Sequence, residues 1–222
     1  MKSLSRAGLG LIVLACATRA VTAQEISGLV ADREASAELA KIVATVRQNG
    51  LPLEPILAKV QYAVMVRSPA PRIVAAAHAV AARLEDARSA LAPQPTATDI
   101  VAGENALWSG VSRKSLEEIR KVSPNKPVAV PLGVLAQLVV SSVPEKKATK
   151  YVTDLIKRGA TSDQLVALGN DVNAEVKLGT RAMDALEVRM NRLNAVLGVP
   201  GANGDAASVP TSLQSGDGKK KP

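Results

Sequence analysis

At 222 residues the chain is within the range of one domain, or one domain with tails. Its formal charge of +8 is built from both signs interspersed, with one Trp, two Tyr and no Phe, so it lacks the concentrated basic stripe and stacking rings of a nucleic-acid binder. Hydrophobic residues make up 47%, chiefly Ala, Val and Leu, which lets helix axes approach closely while each side chain buries less area than a ring would.

The first segment, Met1–Ala23, reads as an export signal. Lys2 and Arg6 form a positive start, residues 7–17 an apolar stretch, and Val21-Thr22-Ala23 a small-residue cleavage site. The apolar stretch is shorter than the roughly 20 residues needed to span a bilayer, so no transmembrane span is expected in the mature chain. No acid precedes Gln24, and cleavage there leaves 25 basic against 20 acidic residues, or +5. A second reading competes: Val13-Leu14-Ala15-Cys16 resembles a bacterial lipobox, in which Cys16 would be lipidated and become the new terminus. Cys16 is the single cysteine, so cleavage at Ala23 would leave no disulfide and no thiolate metal site. The expected location is periplasmic or secreted, or membrane-anchored through Cys16.

From Gln24 to Leu197 the apolar residues step by threes and fours, the period of one helix face. Helix 1 is predicted from about Ala31 to Gln48, with Leu39, Ile42, Val43 and Val46 inward and Asn49-Gly50 as a left-handed stop. Pro55 suits the first turn of helix 2, which carries Ile56, Leu57, Val60 and Val64 to about Arg67. Helix 3 follows Pro71, with Ile73, Ala77, Val80, Leu84, Ala87 and Leu91 in step. Pro93-Gln94-Pro95-Thr96 is a break and the candidate seam, near 92–97, between two sub-bundles. Thr98-Asp99 is read as the cap of a short helix 4 ending at Trp108, and the Ser115/Glu118 spacing of a capping box sets the expected start of helix 5 at Ser115.

After Ser123–Pro127 come helix 6, with Pro131 in its first turn, then helix 7 after Pro144 and helix 8 after Thr161. Helix 9 follows Gly179 with Met183, Leu186, Met190, Leu193 and Leu197 as a stripe that closes the bundle or forms a dimer seam. From Gly198 the chain turns to Gly, Ser, Ala and Pro, ends in three lysines before Pro222, and is expected to be disordered over 198–222. The fold expected is all-α: about nine short antiparallel helices, as a helical-hairpin array or small α-solenoid.

The segment Gly50-Leu51-Pro52-Leu53-Glu54-Pro55, the run Arg72-Ile73-Val74-Ala75-Ala76, and the junctions Ser142-Val143-Pro144 and Arg158-Gly159-Ala160 resemble a group of uncharacterised exported bacterial proteins over about Arg33 to Gly179. The resemblance implies export and helical repetition and brings no catalytic residue with it.

Chemistry has few footholds. His78 is the single histidine, mid-helix among alanines, and has no His or Cys partner for a zinc site. The pairs Glu85-Asp86 and Glu117-Glu118 point about 100° apart on a helix and do not converge on one atom. No catalytic, cofactor-binding or metal-binding residue is assigned, and no cofactor is expected. The candidate partner-binding surface is basic: Arg113, Lys114, Lys146, Lys147, Lys150 and Tyr151, on helices 5 and 7 if these lie side by side. It would suit an anionic envelope component or protein, or be a solvated face with local pairs such as Lys150 to Asp154. The function expected is an exported, non-enzymatic interaction or scaffold protein of the cell envelope that uses a groove between helices. The alternatives are a lipoprotein spacer and an envelope hydrolase.

Overall fold

The computed structural model of the protein describes residues 29–197, and all regular structure among them is helical. The expected signal segment, Cys16 and the tail from 198 lie outside the described residues. The helices are α1 Arg33–Gln48, α2 Glu54–Met65, α3 Ala70–Ala90, α4 Ala97–Trp108, α5 Arg113–Val122, α6 Ala129–Val140, α7 Glu145–Lys157, α8 Ser162–Lys177 and α9 Ala182–Leu197.

Local chemistry sets most of the ends. Asp32, Thr96, Ser112 and Thr161 each turn a side-chain oxygen onto a backbone N–H of the first turn of the helix that follows, satisfying a donor that has no partner within the helix. At the other ends, α1, α2, α4, α6, α7 and α8 stop in one way. A residue with positive φ follows the last turn, and the residue after it donates back to a carbonyl five positions earlier, as Leu51 does to Val46 and Val143 to Leu138. Leu51, Val111 and Val143, the residues that make this bond after α1, α4 and α6, are buried. The stop therefore also plugs the core.

Two starts differ from the sequence expectation. Helix α4 is capped by Thr96, which exchanges hydrogen bonds with Asp99 in a capping box. Helix α5 starts at Arg113 behind Ser112, not at Ser115, because the Ser115 hydroxyl is turned inward to donate to Glu145 at 2.7 Å. Glu145 also accepts from the Ser112 N–H at 2.7 Å, taking the part assigned to Glu118.

Packing is centred on α3 and α6. Helix α3 packs against α1, α2, α4 and α5, and α6 against α4, α5, α7 and α8, while α9 lies on α8. Pro131, Leu132, Val134, Leu135, Ala136 and Leu138 of α6 are all buried, more than one face of a helix, as its near-continuous apolar sequence requires. The helix stripe of α9 closes on the core through Ala185, Leu186 and Met190.

Through the first two units the contacts repeat with a period of three helices, whereas in the third α9 packs on α8. Helices α1, α4 and α7 each end at a positive-φ glycine (Gly50, Gly110, Gly159) and make little contact with the helix that follows. The third helix of a unit instead packs against the first and second of the next: α3 on α4 and α5, α6 on α7 and α8. The break at Pro93–Pro95 falls between two such units, but α3 and α4 pack directly across it. Gly103 lies so close to α3 that an added Cβ would stand 2.9 Å from that of Ala87. Buried side chains continue from one unit to the next.

Candidate functional site

Where one unit meets the next, the second helix of the first and the first or second helix of its neighbour flank a third helix. At α5 and α7, over α6, the flanking helices pack directly. Their contact is polar: the buried Thr149 hydroxyl donates to Ser115 at 3.0 Å, and Ser115 donates to Glu145. Burial pushes the Glu145 carboxyl up, but hydrogen bonds from Ser112 and Ser115 outweigh it and hold the group below its ordinary value.

At α2 and α4, over α3, the gap is open. It is a groove of about 730 Å3 walled by Glu54–Tyr62 of α2 and Val101–Trp108 of α4, with Val80 and Arg83 of α3 along its floor. That size lies within the roughly 300–1,000 Å3 typical of ligand sites. Trp108 and Tyr62 stand on opposite walls and are 66% and 56% exposed, which is costly for large apolar rings. They are two of the three aromatic residues in the chain. The Lys59 ammonium sits between them, 5.8 Å from the Trp108 ring centroid and 5.9 Å from that of Tyr62, within cation–π range of both. Deeper, Arg83 Nε donates to Glu104 at 2.8 Å, with the carboxylate nearly buried. This pair ties α3 to α4 and gives the groove a polar floor.

The expected basic patch is only partly available. Helices α5 and α7 do lie side by side. Arg113, however, is shared between Glu117 at 3.1 Å and Asp86 at 3.7 Å, and Lys150 is paired with Asp154 at 3.2 Å. Lys150 also lies 5.8 Å from the ring centroid of the half-buried Tyr151. Lys114, Lys146 and Lys147 are exposed, with no carboxylate in ion-pair range among the described residues. Three of the four paired carboxylates meet neighbouring arginines, Glu85 with Arg88 and Asp86 and Glu117 with Arg113, while Glu118 is exposed.

His78 is exposed, and its Nε2 lies 3.4 Å from Glu38 on α1. Among the described residues no three His, Cys, Asp or Glu side chains gather as a metal site, and no helix is long and apolar enough to cross a membrane. Comparison of the chain with protein-family models, with curated proteins and with solved structures finds no match in any of the three.

In the sequence Trp108 marks only the end of a helix. Its convergence with Lys59 and Tyr62 depends on the chain passing through α3 between them.

Proposed function

We propose that the protein is exported and acts in the cell envelope as a non-enzymatic binding or scaffold protein, holding its partner in the groove between α2 and α4. One observation carries this reading: a chain with only three aromatic rings, and none fully buried, places two of them at the rim of a single groove. Exposed Trp and Tyr are enriched at recognition surfaces because they supply large rigid contact area at small entropic cost. Export rests on the pattern of Met1–Ala23 and on the resemblance to exported helical proteins.

The test is crosslinked capture from the cell envelope with two variants. Trp108→Ala with Tyr62→Ala removes the rings, and Glu at Lys146, Lys147 and Lys150 reverses the basic face. Loss of captured partners in the first and retention in the second is expected; the opposite result would move the binding surface to α5 and α7. Both exposed rings lie outside the core, so the first variant should unfold within about 0.5 kcal/mol of the parent chain, which separates lost binding from lost fold.

A further inference from the structure

We infer that the groove takes a short stretch of acidic carbohydrate, with a sugar ring stacked against Trp108 or Tyr62 and a carboxylate meeting Lys59; this rests on the reading of the groove as the binding site. The walls come first. Every residue that lines the groove belongs to α2, α3 or α4, where backbone groups are largely spent on the helices themselves. Recognition therefore falls to side chains. No strand edge exists among the described residues for an extended peptide to pair with.

A docked amphipathic helix fits poorly as well. It would lay an apolar stripe over the exposed Glu54 beside the Arg83–Glu104 pair, desolvating a carboxylate with nothing to meet it. The α2 wall from Glu54 to Tyr62 is also only about 12 Å long, little more than two helical turns.

Two extended ligands remain, a proline-rich segment and a carbohydrate, and hydrogen-bond chemistry separates them. Glu54 and Glu104 can only accept, whereas Lys59 and the Trp108 indole can only donate, and Asn105 does both. Proline residues present carbonyls and no N–H, so a polyproline chain would leave the exposed Glu54 carboxylate facing acceptors, while Glu104 is already met by Arg83. A sugar hydroxyl donates and accepts at once, and suits the mixed set. The C–H face of a pyranose is apolar with slightly positive hydrogens, which matches the negative face of an aromatic ring.

Lys59 and Glu54 are the two lining charges without an ion-pair partner among the described residues, and of these Lys59 is the one set between the rings. Half-buried, it has no carboxylate in ion-pair range among the described residues, while Arg83 nearby is already paired with Glu104. An arriving carboxylate would form a charge-assisted hydrogen bond with the ammonium at a site partly shielded by the two rings.

Trp108 is the single tryptophan, so its emission reports on this groove alone. The full chain is titrated with trigalacturonate, with the muramic-acid disaccharide GlcNAc–MurNAc, with neutral chitotriose and with hexaproline. The expected result is a saturable change with one of the acidic sugars, at least tenfold weaker with chitotriose, and equalisation of the two in Lys59→Met. Which acidic sugar binds distinguishes a uronic from a muramic source. The far-ultraviolet circular dichroism and urea midpoint of Lys59→Met, expected to match the parent chain, serve as the fold control. The inference is overturned if neither acidic sugar gives a saturable change, if acidic and neutral sugars bind alike to the parent chain, or if hexaproline binds more tightly than any sugar. If the sugars fail while Trp108→Ala with Tyr62→Ala still abolishes envelope capture, the ligand class falls and the groove stands; if both fail, both readings fall.

Discussion

Arg120 on α5 reaches Asp99 on α4 at 3.2 Å, and the two side chains are 10% and 2% exposed. The guanidinium also donates to the carbonyls of Ser123 at 3.1 Å, Pro124 at 3.4 Å and Lys126 at 3.0 Å, while Asp99 accepts from the Val128 N–H at 2.8 Å. One pair therefore fixes the path of the proline-rich link and the starts of α4 and α6.

Truncating Arg120 leaves Asp99 ionised, buried and short of its partner. Arg120→Ala is expected to cost about 3–5 kcal/mol, the range for breaking a buried ion pair from one side. Removing both charges, as Asp99→Asn with Arg120→Met, is expected to cost less than Arg120→Ala alone. Urea unfolding followed by far-ultraviolet circular dichroism measures both, with Asp99→Asn alone as the third variant; a double loss equal to the sum of the single losses would show that the pair is not coupled.

Burial pushes the Asp99 carboxyl up, but hydrogen bonds from Val128 and Thr96, with the Arg120 charge, outweigh it and leave the group below its ordinary value. A carboxyl whose folded value is depressed contributes stability that is fully present above its unfolded value, about pH 4, and is lost as pH falls through the lower folded value. Glu145 acts in the same direction. Stability should hold at neutral pH and fall below about pH 4, with a smaller drop between pH 7 and pH 3 in Asp99→Asn. An unchanged acid limb in that variant would remove Asp99 as its source.

Gly103 sets the distance between α3 and α4. An added Cβ would meet Ala87 Cβ at 2.9 Å, Leu91 at 3.1 Å and Leu116 at 3.3 Å, and Ala87 offers no flexible chain to move aside. Gly103→Ala is expected to destabilise by about 1–3 kcal/mol through overpacking, although alanine favours helix. A urea midpoint equal to or above that of the parent chain would show that the two helices can part.

Arg67 and Ser142 hold φ of 54° and 70°, the conformation that glycine holds after α1, α4, α7 and α8. Left-handed backbone costs an L-residue about 1–2 kcal/mol, and glycine loses roughly half of that gain to its freer unfolded chain. Ser142→Gly and Arg67→Gly should each raise stability by about 0.5 kcal/mol, read as a higher urea midpoint with an unchanged slope.

The helices were legible because their causes are local. The inward residues of helices 1 and 3, Leu39 to Val46 and Ile73 to Leu91, are all buried as their spacing requires, and the glycine stops fall where the sequence put them. What failed to show were events that join distant residues. Ser115 carries a local capping pattern, but a carboxylate 30 positions away claims its hydroxyl. Pro93–Pro95 reads as a boundary in the sequence, and only Gly103, a residue with no apolar periodicity, lets α4 close onto α3 across it. The groove is the extreme case. Lys59 and Trp108 are brought together by helices that barely touch each other, so no local pattern records the approach.

The aliphatic interior has an optical consequence. Trp108, Tyr62 and Tyr151 are the only strong near-ultraviolet chromophores of the chain, and none belongs to the buried core. Tertiary packing of Ala, Val and Leu is transparent above 250 nm, so signals in that region come from the two groove rings and from Tyr151, which packs against the core. Helix content and ring environment thus occupy separate spectral windows of one unlabelled sample.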